Sequence, residues 1–359
     1  MRPLVVILAL LGAASSAHAQ LVPMSIGNFV SLEKVNRKLS GKVLDYTHNH
    51  GADRRLFSPI LGQPRDLYVY VPPGYSPACA YPLIVYLHMA YLDEHWFVAS
   101  NWLVELDGMM LRGELPRAVI VCPDGMITGE NRTNEPHSMF VNGVNGRYGD
   151  HLLYEVLPFA FTSFSIRPER QAHAVIGVSG GGMGGMSLAL QHRELFATVA
   201  TLAAPLNARY FNCLGDYHAD FDPATFRWRE TYDPDEIIAC FYFGLMRTRA
   251  SKYIEPVFGR DPGVLARASL VNPAELLFTT CLRPGELAIY VNYPGKDNFN
   301  FDAQDESFAW LACLQGVSMT LERVPCGRHN YSYFRHNHLP AFRFVGCHLL
   351  PPVDRVPAH

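Results

Sequence analysis

Six stretches carry largely apolar runs of strand length: DLYVYVPPGY (66–75), stopped by Pro72-Pro73-Gly74, YPLIVYLHM (81–89), RAVIVCPDG (117–125), AHAVIGVS (172–179), ATVATLAAP (197–205) and ELAIYVNYPG (286–295). A strand with one wet face alternates polar and apolar residues, so runs without a polar break belong to strands covered on both faces, the condition of a parallel sheet. Segments with helical character separate them, notably ASNWLVELDGMML (99–111), YGDHLLYEVLPFAFTSF (148–164) and GGMGGMSLALQHRELF (181–196). Strands alternating with helices predict an α/β fold with a mainly parallel central sheet and helices on both faces. The alternation lapses over about 206–284, where stretches such as FDPATFRWRETYDPDEI intervene, and resumes with ELAIYVNYPG, a helix-like AQDESFAWLACLQG, a strand in MTLERVPCG and a terminal helical region. The lapse is too long for an ordinary connection and reads as a cap-like insertion over one end of the sheet.

The 359 residues, 49% hydrophobic and 18% charged, suit one large domain carrying an insertion. A net charge of -3 supplies no basic field for nucleic acid. The N-terminus reads MRPLVVILALLGAASSAHAQ: Arg2, a short apolar run from Leu4 to Leu11, then small residues ending in Ala17-His18-Ala19. This predicts a signal peptide over 1–19, cut before Gln20, with the single domain spanning 20–359 and the mature chain secreted or periplasmic. The run is too short for a membrane anchor, and no later stretch approaches the roughly 20 apolar residues a span needs. Eight cysteines (Cys79, Cys122, Cys213, Cys240, Cys281, Cys313, Cys326 and Cys347) follow the expected cut, and an even count in an exported chain permits disulfides without choosing among pairings. No C-x-x-C spacing suggests zinc or thioredoxin-like chemistry.

GVSGGGMGG (177–185) packs six glycines around one serine. Its literal match to G-x-G-x-x-G carries little weight, because a dinucleotide fingerprint follows the first strand and is answered by an acid at the end of the next. Here other strands come first and ATVATLAAPLN has no carboxylate. Gly177-Val178-Ser179-Gly180-Gly181 instead satisfies G-x-S-x-G between an apolar strand and a helix, the context of a sharp turn that lifts a nucleophilic serine above a sheet. A serine needs an imidazole to take its proton, and the imidazole needs a carboxylate to fix its tautomer. For a serine on such a turn the chain order is Ser, acid, His. Among His192, His218, His329, His336, His338, His348 and His359, only His329 directly follows a strand in a glycine-bearing loop, and it is the expected base. His336 and His338 fall in a helical segment. The acid is expected just after ELAIYVNYPG, where Asp297 lies nearest the strand end. Asp302 is the alternative, otherwise a helix cap, with Asp305 and Glu306 in a first helical turn. The oxyanion requires two fixed N–H donors, assigned to Gly180, next after the serine, and to Ala90, in the loop after YPLIVYLH. Met89 stands there in place of a more usual glycine.

Asp45, His48, His50 and Asp53 sit close together in LDYTHNHGADRR, but without a third imidazole at defined spacing they read as a polar loop rather than a metal site. Tyr91, Trp96, Trp102 and Trp228 are aromatic candidates for a substrate pocket, with core packing as the ordinary use of such residues.

The ordered set RDLYVYVPPGY, YPLIVYLH, VCPDG, SMFVNG through YGDHLLYEVLP, GVSGGGMGG, GKDNFNFDAQ and GRH resembles the putative-esterase group of α/β-hydrolases, which includes enterochelin-esterase-like, feruloyl-esterase-like, esterase D-like and mycolyltransferase enzymes. The resemblance covers roughly 65–346, with the middle insertion least matched. It implies an α/β-hydrolase fold and an esterase that uses Ser179, Asp297 and His329 on small-molecule or saccharide-linked esters through an acyl-enzyme, with no metal or organic cofactor. The group's common Ser-Met-Gly-Gly is replaced by Ser179-Gly180-Gly181-Gly182, so the donor after the serine lacks a side chain to brace it. Acyl transfer to an alcohol and a non-catalytic scaffold that kept the fold are the alternatives.

Overall fold

The structure, a computed structural model, describes residues 30–129, 136–241 and 244–355. The predicted signal segment and its cut before Gln20 lie outside the described residues. Eight strands form the central sheet: β1 (Lys42–Tyr46), β2 (Leu67–Val71), β3 (Leu83–Leu87), β4 (Val119–Pro123), β5 (His173–Val178), β6 (Thr198–Leu202), β7 (Ala288–Pro294) and β8 (Thr320–Val324). Their spatial order is β1-β2-β4-β3-β5-β6-β7-β8. From β4 to β8 every pairing is parallel, whereas β2 runs antiparallel to both of its neighbours. The sheet is therefore mainly parallel, as expected from the unbroken apolar runs.

Burial on both faces can be traced residue by residue. In β2, Leu67, Val69 and Val71 join one apolar cluster and Tyr68 and Tyr70 the other; in β3, Leu83, Val85 and Leu87 oppose Ile84 and Tyr86. Successive side chains of a strand point to opposite faces, so each run splits between two cores. One core is closed by α2 (Leu157–Ser163), α3 (Gly180–Gln191), α4 (Pro273–Thr279) and α5 (Phe301–Leu314), which contribute Leu157, Met186, Leu277 and Phe308. The other is closed by α1 (Trp102–Leu111) and α6 (Tyr331–His348) through Leu103, Leu106, Phe334 and Phe342.

The excursion at 206–284 divides into parts with different surroundings. Two hairpins, Tyr210–Asn212 with Phe226–Trp228 and Ile237–Phe241 with Met246–Arg249, are followed by a helix over Ala250–Phe258. α4, by contrast, lies in the helical layer against α3 and α5 and buries Ala274, Leu276 and Leu277 in the main core. Its start, Asn272-Pro273, places proline where the missing N–H costs no hydrogen bond.

The eight cysteines are all unpaired, and Cys122 is a fully buried residue of β4. Among the described residues no helix is long and apolar enough to cross a membrane.

The turn from β5 into α3 has no spare volume. A Cβ on Gly181 would lie 2.4 Å from the His88 carbonyl oxygen and 2.5 Å from that of Leu87, both backbone atoms. Gly181→Ala is therefore expected to destabilise the protein by about 1–3 kcal/mol through overpacking. Gly108, in α1, meets only the flexible end of Arg112. Gly108→Ala should be neutral or stabilising by up to about 1 kcal/mol, because alanine loses less backbone entropy in a helix. Thermal midpoints of the two purified variants, moving in opposite directions or only for Gly181, check this.

Candidate active site

The elbow between β5 and α3 sets Ser179 at φ 51° and ψ -122°, a conformation that costs an L-residue energy and persists only where the surroundings enforce it. They do so by backbone hydrogen bonds and by close approach. The Ser179 amide donates to the Leu202 carbonyl at 2.9 Å, and its carbonyl accepts from Gly182 at 2.8 Å. Gly177 abuts the same turn, where a Cβ would come within 2.4 Å of the Gly181 carbonyl oxygen. Ser179 stands at the C-terminal end of β5, only 6% exposed and on the wall of a cavity of about 1340 Å³.

Two loops from neighbouring strands meet it there. After β7, Asp297 turns back on its own loop, its Oδ1 accepting from the Phe299 amide at 2.7 Å. After β8, Pro325–Asn330 carries His329 over the sheet edge. The His329 Nδ1–H donates to Asp297 Oδ2 at 2.9 Å, and the Ser179 hydroxyl donates to His329 Nε2 at 3.1 Å. The Asp297 side chain is wholly buried, and the imidazole is 9% exposed. Edge-to-face contacts with Phe299, Phe301 and Phe334, at 5.0, 5.5 and 5.0 Å between ring centroids, hold the imidazole in the plane that serves both partners.

The other carboxylates of that segment have separate places. Asn300, not Asp302, precedes the first residue of α5, in a left-handed conformation at φ 57°. Asp302 lies in the first turn without a bond to the imidazole, and burial reinforced by the Asp297 charge pushes it up to about 6. Asp305 falls one turn further in, fully buried, and burial together with Asp297, Asp302 and Glu306 pushes its carboxyl well above the ordinary range. Glu306 accepts a hydrogen bond from the Tyr293 hydroxyl at 3.0 Å.

Gly180 and Ala90 line the cavity beside Ser179. As the first residue of α3, Gly180 has an amide with no intrahelical acceptor, free to point at an anion. The loop bearing Ala90 is braced from behind. Gly125 N–H donates to His88 Nε2 at 2.9 Å, so the ring proton is on Nδ1, which donates to the Met89 carbonyl at 3.0 Å. Behind Gly125, Asp124 binds the Arg65 guanidinium at 2.5 Å, both side chains almost fully buried. Burial pushes the Asp124 carboxyl up, and the Arg65 guanidinium, with the Met126 amide that donates to the carboxylate at 2.8 Å, draws it back below its usual value.

His137 is a residue that sequence reasoning did not single out. Its Nδ1 accepts from the Met139 amide at 2.9 Å, and burial holds its pKa well below the usual value, so the ring is neutral. A Cβ on Gly180 would lie 3.3 Å from His137 Nδ1 and 3.6 Å from Met139 Cγ. These two side chains occupy the space beside Gly180, and the brace missing from the serine's neighbour comes from another loop. Met139 and Phe140 have φ of 52° and 54°, a backbone shape that nothing in SMFVNG announces.

Tyr91 and Trp96 line the cavity, but Trp102 and Trp228 do not. Trp102 stacks on His338 at 4.8 Å within the second core, and Trp228 packs on Phe226 at 5.2 Å. His336 is exposed and His338 fully buried in α6. Asp45, His48, His50 and Asp53 bind Arg54, Asp66, the Tyr68 hydroxyl and Arg55 respectively. Among the described residues no group of three or more His, Cys, Asp or Glu is placed to hold a metal ion.

The architecture and the elbow define an α/β-hydrolase, and solved structures show the same fold. A ferulic acid esterase matches with a TM-score of 0.57 at 20% identity, over 86% of this chain and 98% of its own. An S-formylglutathione hydrolase of Staphylococcus aureus matches at 0.55 and 16%, over 85% and 98%. A feruloyl esterase module of Clostridium thermocellum, complexed with sinapinate, matches at 0.54 and 14%, over 95% and 97%. The family model described as "Putative esterase" matches residues 58–252, more than half of the chain, and the protein belongs to that family of carboxylic-ester hydrolases. The matched region contains Ser179 and ends before Asp297 and His329, whose placement rests on the geometry.

Two outcomes follow from the buried charges. Arg65→Met leaves Asp124 ionised and unpaired and should cost about 3–5 kcal/mol, whereas Arg65→Met with Asp124→Leu should recover much of it; urea denaturation of the three proteins reads the difference. Asp305 keeps its proton in the folded protein above the range, near pH 4, where the unfolded chain releases it. The fold therefore loses stability relative to the unfolded state as pH rises from there. Asp305→Asn, neutral at every pH, should gain stability over wild type between pH 5 and 8, and a constant difference across that range would contradict the assignment.

Proposed function

We propose that the protein is an exported serine esterase that cleaves small-molecule or saccharide-linked carboxylic esters through an acyl-enzyme, with Ser179 as nucleophile, His329 as base and Asp297 as orienting acid. The observation that carries this reading is the continuous relay from Asp297 through His329 to Ser179, at 2.9 and 3.1 Å, opening on the cavity.

An ester carbonyl carbon seated against the Ser179 Oγ receives the oxygen's lone pair as the hydroxyl proton passes to His329 Nε2. Asp297 fixes the tautomer that leaves Nε2 free to accept and stabilises the imidazolium that forms. The developing oxyanion takes hydrogen bonds from the amides of Gly180 and Ala90, worth about 3–4 kcal/mol per donor in such sites. Because His88 and His137 immobilise the segments beside these donors, little reorganisation is needed when charge appears. His329 then returns its proton to the departing alkoxide, and the alcohol leaves. Water enters, gives a proton to the same nitrogen and attacks the acyl group, releasing the acid and restoring Ser179. Each step uses only this chain, substrate and water, so neither a metal nor an organic cofactor is invoked. Export rests on the A-x-A pattern of residues 17–19, and the mature N-terminus should read from Gln20.

An activated aryl acetate should give a burst of one phenol per active site before steady turnover. Ser179→Ala and Asp297→Asn should each lower kcat by about 10⁴-fold or more. Asp302→Asn should stay within a few-fold of wild type. A fluorophosphonate probe should label wild type and not Ser179→Ala; equal labelling, or a larger kcat loss at Asp302 than at Asp297, would refute these assignments.

A further inference from the structure

The cavity over Ser179 has an apolar body and a basic mouth. Trp96, Phe241, Phe299, Phe301 and Tyr331 form much of the body. Among the described residues, the charged ones on its wall, His329 apart, are Arg247, Arg249, Lys252 and Arg260 against Glu255. This excess occurs in a chain whose 33 acidic residues outnumber its 30 basic ones. A general surplus of cations therefore does not account for it.

Two of the four are answered within the protein. Arg260 binds Glu255 at 2.6 Å, and Arg249 approaches Asp235 at 3.6 Å. Arg247 and Lys252 form no ion pair among the described residues. Arg247, on the second strand of the Ile237–Phe241 and Met246–Arg249 hairpin, donates from Nε to the Gly244 carbonyl at 3.3 Å and is otherwise exposed. Lys252, two residues into the following helix, holds its ammonium 5.0 Å from the centre of the Tyr91 ring. Tyr91 is itself fixed, with φ of 68° and an edge-to-face contact with Tyr253 at 5.3 Å, and it follows Ala90 in the chain. One cation is thus tied to the loop that carries an oxyanion donor and the other to the hairpin above it. Low-dielectric walls around such a mouth concentrate the field of both charges on whatever enters.

We infer that the ester this site takes carries an anionic group, held at the mouth by Arg247 and Lys252 while its apolar part fills the body and its carbonyl meets Ser179. The inference rests on the esterase reading above and adds the charge of the substrate to it. A neutral ester would give neither cation a counter-charge beyond what the described residues supply. An anion gives each a charge-assisted hydrogen bond, and at so exposed a mouth the two together are worth about tenfold in affinity. The recognised group is remote from the carbonyl, so the preference belongs mainly in KM.

Two matched pairs of esters decide between an anion on the acyl side and one on the alcohol side: 4-nitrophenyl hydrogen suberate with its methyl ester, and (4-acetoxyphenyl)acetate with its methyl ester. In at least one pair the anionic member should have a kcat/KM about tenfold above the neutral one at low salt, with the ratio falling as sodium chloride rises. Arg247→Gln and Lys252→Gln should each lower that ratio several-fold, and the double variant should bring it to about one. Arg37→Gln, an exposed substitution elsewhere, should keep the wild-type ratio, and unchanged thermal midpoints would show that the variants are folded. A ratio of one or less in both pairs, or a preference that survives in the double variant, overturns the inference while leaving the esterase reading in place. Absence of Ser179-dependent turnover for all four esters overturns the esterase reading and this inference with it.

Discussion

The turn at Ser179 is possible only because backbone passes within contact distance of backbone on both sides of it. A Cβ on Gly177 would strike Gly181, and a Cβ on Gly181 would strike the end of β3 at Leu87 and His88. With both absent, α3 can leave the sheet at once, and the strained serine is carried by two rigid elements instead of a loop. The consequences spread outward. The same approach that excludes a Cβ at Gly181 brings the loop after β3 alongside the start of α3, so that Ala90 and Gly180, from two different elements, line one cavity. Strain in the Ser179 backbone and the placing of the two proposed oxyanion donors are therefore a single packing constraint seen from two sides.

The buried polar residues behind the site extend that constraint. His88 links the Gly125 amide to the Met89 carbonyl, and Arg65 binds Asp124 where neither reaches water. Removing charges from water in this way is costly and gains little net stability over apolar packing. What the pair and the imidazole visibly do is tie strand ends together: His88 joins the end of β3 to Gly125 after β4, and Arg65 Nη2 donates to Asp124 and to the Met126 carbonyl. His137 plays the matching part on the other side of Gly180.

Much of this is visible in the amino-acid sequence where a single physical rule acts on consecutive residues. The strands were legible in LYVYV or AVIVC because burial on both faces forbids any polar position, and the elbow because strand, small residues and helix must follow one another directly. The direction of β2 was not, since periodicity carries no sign and antiparallel β2 reads like its parallel neighbours. Asp297 stood out from Asp302 only by its distance from the end of β7, and the real cap of α5, Asn300, is marked by a left-handed φ that position alone does not disclose. His137 could not be read at all. Its place depends on two successive positive φ values at Met139 and Phe140 and on an absent side chain at Gly180, 43 positions further along. α4 likewise sits in a stretch without strand alternation, and its membership of the main core is decided by what it packs against.

The excursion that shapes the mouth is also joined to the loop of the proposed acid. The Cys240 amide donates to the Asn298 carbonyl at 3.2 Å, and the Asn298 side chain returns a bond to the Cys240 carbonyl at 2.8 Å. Tyr217 donates to the Phe299 carbonyl at 2.6 Å, while Asn300 donates to the Tyr217 carbonyl at 2.6 Å and Gln304 to its hydroxyl at 2.9 Å. Asp297 is thus held between the sheet, through β7, and the residues that carry Arg247. A displacement of the hairpin would pull on the segment Asn298–Asn300 and so on the loop of Asp297. The hairpin that carries Arg247 and the loop that carries the proposed acid therefore share one set of hydrogen bonds, and loosening the first would loosen the second.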